Sequence, residues 1–456
     1  MSSFHNLKNV AKTVSSFFPR INQNHYLETS LEHTYDEIYY PINSWQTDRF
    51  IEFRIPKSVG TFIDLANINV QYELQAQVKV PSDGVYGPNR KAGGGDHFDL
   101  INFTGQCIFK HLTIDFNNVQ VTNQVNYSLD AFIRLITQFP TEEISKIGKL
   151  YHIEKYEKII KSYSENASYF TNLGVEDPIY KRLLNIRNKG LFLRSPLMGD
   201  ICQLSNYLID GIDITIRLLL HDNNFIFSTN QQNPTTAAGG KKYSMNLSDI
   251  KLYVKKIKPS VNAYNAFQKT IEPRNGISPT LDYIFTSKTS RQFHIPHGVN
   301  EHMIDLPYAN TIPEKIFIVF QQYDNFNTRS WSRNGLYLDH LDLINVYITI
   351  NGSTIFNIDS NFTTGNCAEL YNTCLLCLGK NHSLSYDNFK EGLTILAFPL
   401  ATFDPAGDIR NPYYGNLRIR LTFNDKLADS AVCYLVGDIM SVLSINNNRD
   451  IILNKM

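Results

Sequence analysis

The sequence predicts an all-β chain made of two similar β-sandwiches in tandem, the first interrupted by a helical insertion. Three observations carry that expectation. Apolar side chains recur at every second residue over long stretches, the period that places them on one face of a strand. Short motifs from one half of the chain return in the other half. The composition also fits: Tyr (26) and Phe (28) supply most of a 12% aromatic content, and charged residues make up 19% of 456 residues, below the roughly 25% usual for soluble proteins. Such a chain has much surface to bury in a β-rich core or against neighbours.

Residues 1–40 read as an N-terminal arm. Phe4, Leu7, Val10 or Ala11, Val14, Phe17 and Phe18 recur every three to four residues, an apolar stripe on a helix. Lys8, Lys12 and Arg20 are its charged side chains, and no acid precedes Glu28. A basic amphipathic helix of this kind suits a partner groove or an anionic lipid surface. The first sandwich is expected over residues 41–235. Ile51, Phe53 and Ile55 alternate with Glu52 and Arg54, and Ile68, Val70, Tyr72, Leu74, Ala76, Val78 and Val80 form a longer alternating run. Leu129 to Phe139 instead has helical spacing and stops at Pro140, opening the helical insertion expected near residues 129–190. Gly- and Pro-rich loops are expected at residues 81–97 and 228–242.

The second sandwich is expected over residues 236–456. Ile316 to Phe320 is apolar at every position, as in a strand covered on both faces. Leu417, Ile419, Leu421 and Phe423 alternate with Arg418, Arg420 and Thr422. The repeat is read from three markers. Phe53-Arg-Ile55-Pro56 followed by Ile63-Asp64-Leu65 returns as Phe293-His294-Ile295-Pro296 followed by Ile304-Asp305-Leu306. Leu112-Thr-Ile114-Asp-Phe116-Asn117-Asn118 has a counterpart in Val346-Tyr-Ile348-Thr-Ile350-Asn351-Gly352, a strand running into a hairpin turn. Ile214 to Asp222 aligns without gaps on Leu417 to Asp425. Half the chain per copy, with long loops between strands, suits an eight-stranded jelly roll in two sheets.

From about Ile42 onward the chain resembles the double jelly-roll major capsid proteins of the Polinton (Maverick) and adintovirus group. Phe50-Ile-Glu52-Phe-Arg-Ile55 with Phe62 to Leu65 is similar to that family's opening strands. Leu208 to Leu218 and Ile250 to Val261 resemble its middle segments. Tyr386 to Gly392, Leu396 to Leu400, Gly415 to Ile419 and Ile439 to Asp450 resemble its closing ones. The Gly-rich loop at residues 81–97 and the helical insertion depart from the family pattern.

Candidate chemical motifs are incomplete. Ala238 to Lys242 lacks the upstream Gly and the following hydroxyl of a phosphate-binding loop, and Gly93 to Gly95 lacks a dinucleotide-site setting. His294, His297, Glu301 and His302 miss zinc-binding spacing by one residue. Cys374 and Cys377 have CxxC spacing but sit among leucines, as buried thiols do. No catalytic, cofactor-binding or metal residue is therefore assigned, no cofactor is expected, and the chain is not expected to be an enzyme. Lys plus Arg (43) balances Asp plus Glu (43), so no bulk field favours a polyanion. No apolar run reaches spanning length, and no signal-like apolar stretch opens the sequence. Six cysteines without such a signal suit a reducing compartment.

The resemblance implies a major capsid protein whose homotrimers are pseudo-hexameric and tile an icosahedral viral shell. It implies a virion capsid location after assembly in host cytoplasm or nucleus. Expected partners are further copies of the chain, penton and minor capsid proteins, and an internal membrane reached through residues 1–22, without sequence-specific nucleic-acid binding. The alternative is a carbohydrate-binding or carbohydrate-active tandem β-sandwich, which would use aromatic platforms and carboxylates.

Overall fold

The computed structural model describes residues 31–79, 86–87, 98–151, 190–204, 206–229, 242–273, 279–308, 311–322, 334–400 and 415–455. Its first half contains β1 (Leu31–Tyr39), β2 (Phe50–Ile55), β3 (Phe62–Lys79), β4 (Tyr86–Gly87), β5 (Phe98–Leu100), β6 (Phe109–Phe116) and β7 (Val119–Gln124). Helices α1 (Tyr127–Gln138) and α2 (Thr141–Tyr151) follow, then β8 (Leu191–Pro196), β9 (Ile214–Leu220), β10 (Phe227–Thr229) and β11 (Lys242–Pro259). Helix α3 (Val261–Ile271), capped by the Ser260 hydroxyl on the Ala263 N–H, leads onward. The second half contains β12 (Leu281–Ile295), β13 (Glu301–Tyr308), β14 (Lys315–Gln322), β15 (Leu343–Ile350) and β16 (Ser353–Asp359). It continues with α4 (Ala368–Leu378), α5 (Tyr386–Lys390), β17 (Leu396–Pro399), β18 (Gly415–Phe423), β19 (Ala431–Ile445) and β20 (Ile451–Lys455).

The alternation seen in the sequence sets the sheets. Ile68, Val70, Tyr72, Leu74 and Ala76 of β3 are all buried while the residues between them are only partly so. Ile316 to Phe320 of β14 is buried at every position, as a strand covered on both faces must be. Each half is a pair of antiparallel sheets. In the first, β2-β9-β6-β7 faces a sheet of order β1-β11-β3, with β4 and β8 both pairing with β3. In the second, β13-β18-β15-β16 faces β12-β19-β14-β17, with β20 added to β19. The two halves thus share one strand order, and β10 with β5 forms a small extra ribbon.

Strand pairing tests the repeat markers. Ile216 on β9 pairs with Ile114 and Ile419 on β18 pairs with Ile348, so the second and third markers occupy equivalent strands. The hairpin turns match as well: Asn117, Asn118, Asn351 and Gly352 all have positive φ, as tight turns between twisted strands require. The first marker is a false match. Phe53 pairs with Ile216, whereas the residue paired with Ile419 is Ile304, so the counterpart of Phe53 is Ile304 on β13. Phe293 lies on β12, in the opposite sheet, where it pairs with Cys433.

The expected division of the chain also changes. β11 lies beyond residue 235 yet pairs with both β1 and β3, so the first sandwich is completed by residues assigned to the second. β1 is a strand of that same sheet inside the expected arm, while residues 1–30 and the amphipathic helix expected there lie outside the described residues. The helical insertion is found as α1 and α2, and residues 152–189 lie outside the described residues. It is not peculiar to the first copy, because α4 and α5 occupy the same interval between strands in the second. The loops expected at 81–97 and 228–242 fall largely outside the described residues.

Candidate functional site at the seam between the sandwiches

The chain's own polar chemistry concentrates where the two sandwiches meet. Edge strand β12 runs beside edge strand β7: the Asn126 side-chain amide donates to Ser290 Oγ at 3.1 Å. Tyr283 Oη accepts from the Ile209 N–H and donates to the Tyr207 carbonyl. Arg449, held in a turn after β19, donates from Nε to the Asp210 carbonyl and from its guanidinium to Asp210 Oδ1, both at 2.8 Å. Asp210 is buried and also accepts from Tyr264 and from the Gly60 N–H. A guanidinium suits this position because it can bond carbonyl and carboxylate at once.

Deeper in the seam, α1 is buried along nearly its whole circumference. On one side Tyr127 bonds Gln106 and the Met198 N–H, and Ser128 bonds His221. On the other, the Ile136 carbonyl accepts from the Ser383 N–H of the second sandwich at 2.9 Å. Two buried ion pairs flank the helix. Arg134 meets Asp200 at 2.9 Å, and Lys288 meets Asp438 at 2.7 Å. The Lys288 N–H donates to Asp200 Oδ2 at 2.9 Å, joining the two pairs. The Lys288 ammonium also lies 4.7 Å from the centre of the Phe317 ring, a favourable cation–π contact.

These two cations and two anions balance, leaving Asp130 as an additional buried carboxyl whose Oδ1 has no hydrogen-bond partner. Burial pushes its pKa up to about 7, with Asp200 and Asp438 adding to the rise and Lys288 and Arg134 opposing it. Burial likewise raises Asp200, against the pull of Arg134. His221, buried and stacked on Phe225, is pushed down to about 3 by burial. None of these residues was a candidate at the sequence level. The available signal was Asp130 and Arg134, the two charged residues of the helix, four positions apart, which puts both charges on one face.

The motifs weighed in the sequence do not converge. His294 lies on β12, His302 on β13 and His297 in the turn between them, and among the described residues no group of three His, Cys, Asp or Glu side chains is placed to hold a metal ion. Cys374 and Cys377 lie on α4, buried, with thiols pushed up to about 12 and about 11 by burial. The Gly93 to Gly95 loop and Ala238 to Lys241 lie outside the described residues.

Two sandwiches that share one order of core strands, fused through a buried polar seam, define a double jelly roll. Solved structures of similar fold include a chain of the Sputnik virophage determined by cryo-EM, at TM-score 0.60 and 14% identity, covering 96% of this chain and 91% of that one. The mavirus major capsid protein gives TM-score 0.57 at 10% identity, covering 97% and 93%. The Faustovirus major capsid protein gives 0.54 at 10% identity, covering 94% and 93%. No family model and no curated protein sequence matches the chain. At these identities the likeness is one of fold, and it extends over nearly the whole length of both partners.

Proposed function

We propose that the chain is a viral major capsid protein of the Polinton (Maverick) and adintovirus type, and that three copies close into a pseudo-hexameric ring that tiles an icosahedral shell. The observation carrying this reading is the shared strand order of the two fused sandwiches. Two near-equivalent blocks per chain make six per trimer, which approximates a hexagon. The similar structures from virus capsids support the same reading across both sandwiches. The division into arm, first sandwich and second sandwich is retained, with β11 assigned to the first.

Further copies of the chain are then its main partners, with penton and minor capsid proteins completing the shell, and its place is the virion after assembly in host cytoplasm or nucleus. Residues 1–22 face the shell interior, against another subunit, a minor protein or an internal membrane. The role is structural, with no catalysis, cofactor, metal or sequence-specific nucleic-acid contact. No observation favours the carbohydrate alternative. Negative-stain microscopy of the purified chain tests the reading: pseudo-hexagonal trimers or shells support it, and monodisperse monomers overturn it.

A further inference from the structure

Lys288 and Asp438 stand directly opposite each other on β12 and β19. Lys288 Nζ lies 2.7 Å from Asp438 Oδ1, with the two side chains 2% and 13% exposed. In the other lysine–carboxylate pairs among the described residues the carboxylate is at least 39% exposed. Arg134 is buried with Asp200 as well, but a guanidinium stays protonated and is no nucleophile. Lys315 faces Asp438 from β14, yet its ammonium donates to the Cys377 carbonyl at 3.1 Å. Lys288 is therefore the amine addressed to the Asp438 carboxyl.

Three features of the surroundings favour condensation over a lasting ion pair. Beside the Phe317 ring and inside the seam, both charges have lost the water that would stabilise them. The strand register holds amine and carboxyl together, which replaces an encounter in solution by an intramolecular one with an effective molarity on the order of 10⁵ M or more. Third, the buried Asp130 has an Oδ1 without a hydrogen-bond partner, and Lys288 is the charge that acts on it most strongly. Burial raises that carboxyl to about 7, so near neutral pH it can both give and take a proton.

We propose that Lys288 and Asp438 condense into an intramolecular amide that fastens edge strand β12 to β19, with Asp130 carrying the protons. The ammonium first passes a proton to the Asp438 carboxylate, giving a neutral amine and a neutral acid. Nζ then attacks Cγ: the Nζ–Cγ bond forms, Nζ gives up a proton, and one Cγ–O bond breaks. Protonated Asp130 supplies the proton for the departing hydroxyl and takes the one from Nζ, so it ends as it began. The product besides the amide is one water, and nothing is oxidised or reduced. One charge of each sign disappears, which leaves Arg134 and Asp200 as a balanced pair. The reaction occurs once per chain and turns over no substrate. It links positions 150 residues apart, closing a loop around nearly the whole second sandwich, and it does not depend on what the chain assembles into.

Intact mass spectrometry of the denatured full-length protein reads the bond directly. Lys288→Arg, which keeps the cation but is no nucleophile, serves as the uncondensed reference once circular dichroism shows it folded. After allowing for that substitution, wild type should weigh one water less. A tryptic digest of wild type should contain one branched peptide joining Lys288 to Asp438. Asp438→Asn should condense with loss of ammonia instead of water, which a purely ionic pair cannot do. Asp130→Asn, folded by circular dichroism, should form the bond roughly a hundredfold more slowly. Wild type at its full mass, or a water lost at any other pair of residues, overturns the bond. Full condensation in freshly purified Asp130→Asn overturns the assignment of the protons to Asp130.

Discussion

Replacing Asp130 by Asn isolates the odd charge in the seam. The carboxyl is raised from 3.8 to about 7, so between those values the folded chain holds a proton that the unfolded chain releases. Stability contributed by this site is therefore greatest below the unfolded value and declines as pH rises to about 7. A shift of roughly three units at about 1.4 kcal/mol each gives a penalty on the order of 4 kcal/mol above pH 7, an upper limit because the surroundings relax. The asparagine side chain has nearly the same shape and no charge to desolvate. Urea unfolding followed by tryptophan fluorescence should show wild type and D130N close together at pH 4.5. By pH 8 the variant should be more stable by up to about 4 kcal/mol. A constant difference across that range would refute the reasoning, because it would mean that Asp130 titrates alike in the folded and unfolded chain.

Arg449→Ala strands the buried Asp210 carboxylate and should cost roughly 3 kcal/mol in the same assay, and Arg449→Lys should recover only part because one ammonium cannot replace both guanidinium contacts. None of the six cysteines should react with a maleimide in the native protein, and all six should react in urea, as mass spectrometry would show; burial shields all six, and raised thiol pKa values further oppose the reactive thiolate at Cys107, Cys202, Cys374, Cys377 and Cys433. Deleting residues 1–22 should leave the chain folded and trimeric by light scattering while reducing shell yield in electron micrographs. Unfolding of that variant, or undiminished shell assembly, would remove the arm from assembly.

What was legible in the sequence was local periodicity. The β3 run, the fully apolar β14 and the β9/β18 pair could each be read from spacing alone, because a strand displays its buried face along its own residues. The marker built on Phe53 and Phe293 failed for a related reason. Phe-x-Ile-Pro is what alternation ending at a proline produces on many strands, and only pairing shows that one copy lies on β2 and the other on β12. The seam was hidden more thoroughly. Asp130, Arg134, Asp200, Lys288 and Asp438 come from α1, the segment after β8, β12 and β19, and no spacing rule links positions so far apart. Asp438 in particular sits in a run that reads as an ordinary buried strand.

The placement of β11 has a consequence for how the chain emerges from the ribosome. β1 pairs only with β11 among the described residues, and β3 meets β11 along most of its length. Both strands are synthesised early, and their partner arrives with Lys242–Pro259. Until then the long edge of β3 is an unpaired template of backbone donors and acceptors, the situation in which nascent chains misassociate. A fragment ending at residue 235 would keep that edge permanently. The polar outward residues Asn69, Gln71, Glu73, Gln75 and Gln77 along β3 are suited to this interval, since they keep one face of the waiting strand wetted while the translation of the remaining strand is completed.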